Sequence, residues 1–327
     1  MFHSLGKRVG VLYGGPSSEH DVSVESARAI LSNFPEDFHP VPIYITRQGQ
    51  WILDGIPADP DKALSRVDAV FNAMHGEYGE NGEVQELLET AGIPYTGSGP
   101  YPSRLAMNKA VAKEFLRREG IKMPLHKTIK KGILGERELA EVFKKFSLPV
   151  VVKPLALGSS IGISIAHDFF EFKKAVGRAF EISGEVLVEE FVKGKEATCA
   201  VVDEWRGKRR KVLLPVEIIP PPHKKFFDYE AKYAGISKEE CPGSFSSEEV
   251  AGIMELAEIV HRALGLRHYS RSDFIVHPSR GVYFFEVNTL PGLTEQSLLP
   301  KSLRAEGASL GEFIGHILRL ALKGERR

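Results

Sequence analysis

Short apolar runs followed by helical periodicity organise the first third of the chain. Val9–Tyr13 and Val67–Met74 are mostly apolar and predict strands. Apolar residues then recur at helical spacing in segments 23–34 and 84–91, with Ser23 as the predicted N-cap of the first helix. Strand, loop and helix in alternation predict a parallel sheet.

Both predicted strands end in loops that carry candidate ligand-binding side chains. The loop GGPSSEHD contains Glu19, and the loop HGEYGENG begins with His75. Ligands bind at the carboxyl ends of strands in open parallel sheets, so we expect Glu19 and His75 to share a ligand. Taken alone, His75 also fits a structural loop histidine. The Gly14-Gly15 loop lacks G-x-G-x-x-G spacing, which argues against a nicotinamide-dependent oxidoreductase.

A glycine- and serine-rich loop follows in the middle of the chain. The predicted strands Leu148–Lys153 and Ile163–Ala166 flank the sequence PLALGSSIG. Such a loop can offer phosphates its backbone N–H groups and the hydroxyls of Ser159 and Ser160, while Lys153 supplies positive charge. Gly-Ser loops are common, so this motif alone leaves an ordinary connection open.

Two further elements of the middle segment carry candidate side chains. Ser103–Arg118 has helical spacing and is predicted as one helix that bears Lys109, which by itself also fits a surface lysine. The strand Glu185–Glu189 ends in EEFV, which could line a nucleobase pocket or form an ordinary strand exit.

A predicted hairpin near the C-terminus gathers the most specific set of polar side chains. Asp273–Val276 and Val282–Val287 are strand-like and flank Pro278-Ser279-Arg280-Gly281. A two-residue tip would place Asp273 opposite Glu286. One face then carries Arg271, Asp273, Glu286 and Asn288, and the other carries Phe274, Val276, Phe285 and Val287. Three oxygen ligands beside a cation suit magnesium and phosphate, although a solvated charged face is the simpler alternative.

The segment before this hairpin predicts a lid. Thr198–Asp203 and Val212–Ile219 are strand-like, whereas residues 220–246 are long, polar and without clear periodicity. Loops of this length inside compact domains are usually lids or disordered, and we prefer a mobile lid.

Composition restricts the class of protein without identifying it. The 327 residues predict two or three domains. With 43 basic and 43 acidic side chains, the zero net charge favours neither a nucleic-acid nor a membrane partner. Cys199 and Cys241 form neither a disulfide framework nor a metal-ligand pair, so we expect reduced thiols and a cytoplasmic location.

Seven segments share one further property. They are GVLYGGPSSEHDVSVES, AMHGEYGENGEVQ, VVVKPLALGSSIGIS, VLVEEFVKGKE, FFDYEAKY, YSRSDF and FFEVNTLPGLTEQSLLP. In order and spacing they resemble the D-alanine–D-alanine ligases of the ATP-grasp superfamily. The resemblance implies an α/β fold, α+β in its ATP-grasp part. A parallel-sheet, substrate-binding domain at 1–107 would precede ATP-grasp subdomains at 108–191 and 192–327, with the lid at 220–246.

The resemblance implies a reaction with ATP, two magnesium (or manganese) ions and two D-alanine molecules. ATP would phosphorylate the carboxylate of the first D-alanine, and the amino group of the second would attack the acyl phosphate. The family commonly forms homodimers. Related ligases that use D-lactate or D-serine remain an alternative, although ester-forming members tend to lack the lid tyrosine that this chain has at Tyr233.

Residue roles also follow from the resemblance. The implied catalytic residues are Glu19, Ser159, Tyr233, Arg271 and Ser297, with Glu19, Ser159 and Tyr233 as a hydrogen-bond network that latches the lid. The implied substrate-binding residues are Glu19, His75, Arg271, Gly292, Ser297 and Leu298, with Arg271 and the Gly292 N–H as an oxyanion hole. The implied ATP-binding residues are Lys109, Lys153, Ser159, Ser160, Glu189, Phe191, Val192, Glu196 and Lys232. The implied metal ligands are Asp273, Glu286 and Asn288.

Two positions depart from the family pattern, and two other functions stay open. Glu190 stands where some members carry lysine, and Asn81 stands where aspartate is frequent. An ATP-grasp carboxylase or phosphotransferase would use the same ATP site with another acceptor. A non-catalytic ATP-binding module would be expected to lose residues of the hairpin set, and none is lost.

Overall fold

The computed structural model of the protein describes residues 6–133, 135–155, 162–221 and 237–324. Within these ranges the strands form three sheets, which succeed one another along the chain. Helices pack against each sheet, and the polar loops between elements converge on the site described below.

The first sheet has the strand order β4-β3-β2-β1-β5. Its strands are β1 Lys7–Gly14, β2 Phe38–Ile45, β3 Trp51–Leu53, β4 Ile56–Pro57 and β5 Ala69–Asn72, and its helices are α1 His20–Ser32, α2 Pro60–Leu64 and α3 Glu83–Thr90. β1 runs parallel to β2 and β5, which confirms the predicted parallel sheet. β3 and β4 add an antiparallel edge.

The predicted N-cap of the first helix is wrong. α1 begins at His20 with Glu19 as its N-cap, so Ser23 lies inside the first turn. Its buried hydroxyl accepts a hydrogen bond from the Gly14 N–H at 2.8 Å and donates to the Ala73 carbonyl at 2.8 Å. Ser23 therefore connects α1 to the ends of β1 and β5, where the candidate loops start.

The single helix predicted over Ser103–Arg118 is two helices, α4 Pro100–Met107 and α5 Lys109–Arg117. Asn108 separates them in an extended conformation, with ψ at 96°, and its side chain accepts a hydrogen bond from the Val111 N–H at 3.1 Å. An asparagine cap supplies one of the backbone acceptors that a helix start lacks, so the chain can begin a new helix here. Lys109 consequently occupies the first turn of α5.

The second sheet has the order β6-β9-β7-β8, with all neighbours antiparallel. Its strands are β6 His126–Lys130, β7 Val150–Pro154, β8 Ser164–Ala166 and β9 Glu185–Glu190, and its helices are α6 Glu136–Phe143 and α7 Phe169–Ile182. The predicted pairing of the two strands that flank the glycine-serine loop is confirmed in β7 and β8.

The third sheet has the order β13-β12-β10-β14-β15, with β11 paired to β10. Its strands are β10 Lys195–Asp203, β11 Arg210–Val212, β12 Val216–Ile219, β13 Lys238–Glu240, β14 Tyr269–His277 and β15 Gly281–Asn288, with a 3₁₀ turn at Trp205–Gly207. The helices of this part are α8 Ser247–Ala263, α9 Leu298–Ala305 and α10 Leu310–Lys323. The strand predicted at Val212–Ile219 is divided, because β11 and β12 pair separately with β10.

The segment predicted as a lid is only partly described. Residues 222–236 lie outside the described residues, whereas β13 pairs with β12 and Ser246 caps α8 with a capping box. The ends of the segment are therefore regular structure, and its role as a lid stays a prediction.

Core packing crosses the predicted domain limits. The last helix, α10, buries Phe313 and Ile317 in one apolar cluster with Val9 and Phe71 of the first sheet. The limits at residues 107 and 191 stay predictions. In the described part of the chain, no helix combines the length and the apolar character needed to cross a bilayer.

Candidate active site

The β14–β15 hairpin confirms the predicted pairing at its charged end. Asp273 lies opposite Glu286 and Arg271 lies opposite Asn288. Side chains of residues opposite each other in a sheet share a face. The four predicted polar residues therefore stand together at the edge of the third sheet.

The tip and the apolar face differ from the prediction. His277 pairs with Gly281, which leaves three tip residues instead of two, and the register shifts between Asp273 and Phe274. Phe285 is the extra residue of this β-bulge, so it does not join Phe274 on the core face as predicted. Phe284 is fully buried in the core instead. A bulge re-aims one side chain, and here it brings Phe285 beside Glu286 on the site face.

Asp273 is the centre of a hydrogen-bond network on this face. Arg271 donates from Nε to Oδ1 at 2.9 Å and from a terminal nitrogen to Oδ2 at 2.8 Å. Thr198 of β10 donates to Oδ1 at 2.5 Å, and Asn288 donates to Oδ2 at 3.2 Å. Burial alone would lower the pKa of Arg271, but the Asp273 carboxylate outweighs it and raises the pKa. Thr198 has no counterpart in the sequence prediction.

Lys109 lies next to the same hairpin instead of on the open surface. Its ammonium is 3.5 Å from Oε2 of Glu286, and the lysine side chain is only 9% exposed. The start of the new helix at Asn108 is what aims Lys109 at β15. Both residues line a small cavity that also includes Glu19 and Asn288.

A second charged cluster, made of Lys113, Glu189 and Lys153, lies buried between α5, β9 and β7. Lys113 forms an ion pair with Oε1 of Glu189, and Lys153 lies 2.6 Å from Oε2. Both ammonium groups also contact the Phe285 ring, at 5.3 and 5.7 Å from its centre. Burial lowers the pKa of Lys113 to about 8. Burial opposes ionisation of Glu189, but the two lysines lower its pKa to about 2.

Lys113 is a site residue that the sequence prediction missed. The available signal was its position four residues after Lys109, which puts both lysines on one helix face. Glu189 had been predicted for the adenine and ribose pocket. Its carboxylate is fully buried, with both oxygens directed at lysines.

The predicted ATP-binding residues surround a cavity of about 340 Å³ between the second and third sheets. Its lining includes Lys153, Glu189, Phe191, Val192 and Glu196, together with apolar residues such as Ile165 and Ile218. Asp273, Glu286 and Phe285 form the wall next to the hairpin. An apolar cavity with charged groups at one side suits a nucleotide, which has a flat base and a charged phosphate tail.

All six predicted substrate-binding residues line a second cavity, of about 740 Å³. They are Glu19, His75, Arg271, Gly292, Ser297 and Leu298. Arg271 and Leu298 also line the first cavity, so the two cavities share a wall.

His75 is held between two parts of the chain. Its Nδ1 lies 2.9 Å from the Leu290 carbonyl and its Nε2 lies 2.8 Å from the Ser26 hydroxyl. A carbonyl only accepts, so Nδ1 carries the proton in this arrangement. The Leu293 N–H in turn donates to Ser26 at 3.4 Å. His75 thus supports the loop after β15, in addition to lining the cavity.

Glu80 is a second missed residue of this cavity. It accepts hydrogen bonds from the Gly76 N–H at 2.9 Å, the Leu290 N–H at 2.9 Å and the Thr289 hydroxyl at 3.2 Å. Burial, and then the nearby charge of Glu19, raise its pKa to about 7, although these hydrogen bonds oppose the shift. The loop sequence GENG had drawn attention to Asn81, whereas its neighbour Glu80 joins the first and third sheets.

The loop after β15 supplies close backbone approach and a helix start. A Cβ on Gly292 would come within 2.8 Å of the Ser297 hydroxyl, so only glycine fits there without a shift. Ser297 is the N-cap of α9, and its hydroxyl lies 2.7 Å from that of Thr294. Leu298 is buried against Val216 and Ile218 of β12.

Four predicted site residues lie outside the described residues. They are Ser159 and Ser160 of the glycine-serine loop and Lys232 and Tyr233 of the predicted lid. Their roles stay predictions.

The donor set at the hairpin fits a hard divalent cation. Asp273, Glu286 and Asn288 offer carboxylate and amide oxygens from paired strands. Among the residues that the structure describes, His, Cys, Asp and Glu do not form a cluster of three or more. Magnesium is commonly held by one or two carboxylates with substrate phosphates and water completing its shell, so a sparse oxygen set beside a nucleotide-shaped cavity suits it.

Comparisons with known proteins cover nearly the whole chain. The D-ala D-ala ligase C-terminus family matches residues 115–319, and the D-ala D-ala ligase N-terminus family matches residues 8–61 and 54–98. The D-alanine–D-alanine ligase of Geotalea uraniireducens is 38% identical over 322 residues, which are 96% of each chain. That of Geobacter sulfurreducens is 38% identical over 329 residues, which are 97% of this chain and 96% of the relative.

Solved structures give the same picture. The VanG D-Ala:D-Ser ligase from Enterococcus faecalis superposes with a TM-score of 0.84 at 32% identity, covering 97% of this chain and 99% of the other. The D-alanine–D-alanine ligase from Bacillus anthracis complexed with ATP superposes with a TM-score of 0.80 at 30% identity, covering 98% and 99%. The predicted fold class is confirmed by these matches.

Proposed function

This chain belongs to the D-alanine–D-alanine ligase family, and from that premise we propose that it joins two D-alanine molecules in a reaction driven by ATP. The products are D-alanyl-D-alanine, ADP and phosphate, and the dipeptide serves peptidoglycan precursor synthesis. The observation that carries this proposal is the shared wall of the two cavities. Arg271 and Leu298 line both, so a phosphoryl donor and a carboxylate acceptor can meet there.

In the first step the γ-phosphoryl group of ATP passes to the carboxylate of the first D-alanine. A free carboxylate is a poor electrophile, and the acyl phosphate corrects this because phosphate is a good leaving group. The adenine and ribose occupy the apolar part of the smaller cavity, next to Phe191, Val192 and Glu196. Lys109 and Lys153 hold the phosphates from two sides. Ser159, Ser160 and Lys232 complete the phosphate site.

Magnesium held by Asp273, Glu286 and Asn288 would neutralise the charge of the phosphates during transfer. We propose two ions, with Glu286 as the shared ligand. Arg271 and Thr198 keep the Asp273 carboxylate oriented toward the cavity side of the hairpin.

In the second step the neutral amino group of the second D-alanine attacks the acyl carbon, and phosphate leaves. Glu19 binds the ammonium of the first D-alanine, and His75 lies near its carboxylate end. Arg271 and the Gly292 N–H stabilise the oxyanion of the tetrahedral intermediate. Ser297 and the backbone of Leu298 hold the carboxylate of the second D-alanine, while Tyr233 and Ser159 close the site together with Glu19.

An acceptor screen tests this function. Purified protein with magnesium and ATP is supplied with D-alanine alone, or with D-alanine plus D-lactate or D-serine, and products are identified by mass. We expect D-alanyl-D-alanine as the dominant product in every mixture. Absence of D-alanine-dependent ADP release would contradict the proposal, and ADP release with another acid would favour a different ATP-grasp ligase.

A second candidate is a mixed ligase, since the D-Ala:D-Ser ligase from Enterococcus faecalis superposes at a TM-score of 0.84. Dominance of the D-serine product in the screen would establish it. A homodimer and a cytoplasmic location also remain our proposals, and light scattering of the purified protein would measure its oligomeric state.

A further inference from the structure

The buried cluster of Lys113, Glu189 and Lys153 contains one more positive charge than its neutralisation requires. Lysine is rarely fully buried unless it is paired, because burial disfavours the charged form. Lys153 alone would suffice to pair with Glu189, which it meets at 2.6 Å. Lys113 nevertheless adds a second ammonium with no exposed surface. Stability alone gives no reason for this extra buried charge.

The two lysines differ in their access to the nucleotide cavity. Lys153 and Glu189 line it, whereas Lys113 approaches Glu189 from α5 on the other side. Lys113 uses Oε1 and Lys153 uses Oε2, so the carboxylate is divided between them. The Phe285 ring, turned to this side by the bulge, contacts both ammonium groups.

We propose that Lys113 is a positioning residue for ATP binding, which leaves Lys153 with a fixed position and an uncompensated positive charge beside the phosphates. The inference rests on the proposed use of ATP. With Lys113 present, two ammonium groups and one carboxylate give the cluster a net charge of +1. Without it, Glu189 neutralises Lys153 completely and pulls its ammonium away from the phosphate oxygens. An ammonium has three donors, so Lys153 can hold Glu189 and still donate to a phosphate.

Nucleotide affinity tests this charge argument without depending on ligation. Binding of ATP and of adenosine, both with magnesium, is measured by calorimetry for the wild type and Lys113→Met. We expect ATP to bind roughly tenfold more weakly, the size of one weakened charge interaction in a partly dry site, and adenosine to change by less than about twofold. Arg117→Met is the matched control, because Arg117 is an exposed residue of the same helix. We expect it to bind both ligands like the wild type.

A double variant separates charge from packing. Lys113→Met combined with Glu189→Gln restores a net charge of +1, carried by Lys153 alone. We expect its ATP affinity to return to within about threefold of the wild type. A purely structural role for Lys113 predicts the opposite, since two buried substitutions would disturb packing more than one. If Lys113→Met does not fold, the double variant still decides the question through its own ATP affinity.

Three results would overturn the inference. One is equal loss of ATP and adenosine binding in Lys113→Met, another is unchanged ATP binding in that variant, and the third is an absence of rescue in the double variant. Failure of the proposed function is a separate outcome. It would appear as wild-type protein that binds ATP but releases no ADP when D-alanine is added.

Discussion

The two charged clusters of the site differ in their access to ligands. In the hairpin cluster of Arg271, Asp273, Glu286 and Asn288, the Asp273 and Glu286 side chains are 24% and 28% exposed. In the cluster of Lys113, Glu189 and Lys153, Glu189 is fully buried and Lys153 is 6% exposed. The first can exchange its hydrogen bonds for metal and phosphate ligands, whereas the second keeps fixed partners.

This difference assigns the clusters different tasks. Partly exposed carboxylates retain water access, so their ion pairs contribute little to stability and are easily replaced. Removing one member of a buried pair leaves an uncompensated charge in a low-dielectric environment, which is costly. We therefore expect changes in the hairpin cluster to reduce turnover and changes in the buried cluster to reduce folding stability.

The largest expected effect is on turnover, in Glu286→Gln. The amide keeps the shape of the side chain but removes the negative charge that would bind metal and pair with Lys109. We expect D-alanine-dependent ADP release to fall by about 10³-fold or more, with folding stability nearly unchanged. Glu185→Gln, at the exposed start of β9, is the control. Turnover close to that of the wild type would refute the metal role of Glu286.

The buried cluster predicts the opposite separation, and neighbouring residues of β9 provide a matched pair. Glu189→Gln leaves two buried lysines without a carboxylate, so we expect a loss of about 3–5 kcal/mol in the free energy of unfolding. Glu190→Gln breaks an ion pair with Arg280, which is 41% exposed, and should cost less than about 1 kcal/mol. Urea denaturation measures both. Equal losses would remove the distinction between the clusters.

The hairpin cluster could be predicted from the sequence because its residues belong to one local pairing. Alternation along two adjacent strands places four side chains on one face, with no need to know the rest of the fold. The pairing of Asp273 with Glu286 was right although the tip was wrong. A three-residue tip alone would have set Asp273 opposite Phe285, and the bulge at Phe285 restored the pair. Sequence alternation records neither the tip length nor the bulge.

The buried cluster could not be predicted in the same way. Lys113, Glu189 and Lys153 come from a helix and two strands that are far apart in the chain, so only the tertiary fold brings them together. A lysine in an amphipathic helix is normally assigned to the solvent face. The helix break at Asn108, which sets the direction of α5, also lies below the resolution of hydrophobic periodicity.

A smaller effect is expected at Thr198, whose hydroxyl donates to Asp273. Thr198→Val keeps the shape and removes the donor, so Asp273 is less firmly oriented. Groups that orient metal ligands typically contribute 10–100-fold, and we expect about a tenfold rise in the magnesium concentration that gives half-maximal rate. Ser272→Ala is the control, because the buried Ser272 hydroxyl has no hydrogen-bond partner among the described residues. An unchanged magnesium dependence in Thr198→Val would argue against the role of Asp273.

The smallest expected effect concerns Glu80, which belongs to neither cluster and joins the two loops of the substrate cavity. Its pKa is raised from 4.5 to about 7 in the folded protein, so the folded state binds the proton more tightly than the unfolded state. Stability contributed by Glu80 must then fall as the pH rises from about 4.5 to 7, and stay constant above. After allowance for partial exposure we expect a change of about 1–2 kcal/mol.

Urea denaturation of the wild type and Glu80→Gln at pH 4.5 and pH 8 isolates this contribution, because other groups cancel in the difference. The wild type should lose stability relative to Glu80→Gln at the higher pH. Glu77→Gln, an exposed position in the same loop, is the matched control. A difference that grows in favour of the wild type as the pH rises would mean that Glu80 is ionised in the folded protein. Its three hydrogen bonds would then outweigh its burial, and Glu80 would act as a charged partner of the hairpin cluster.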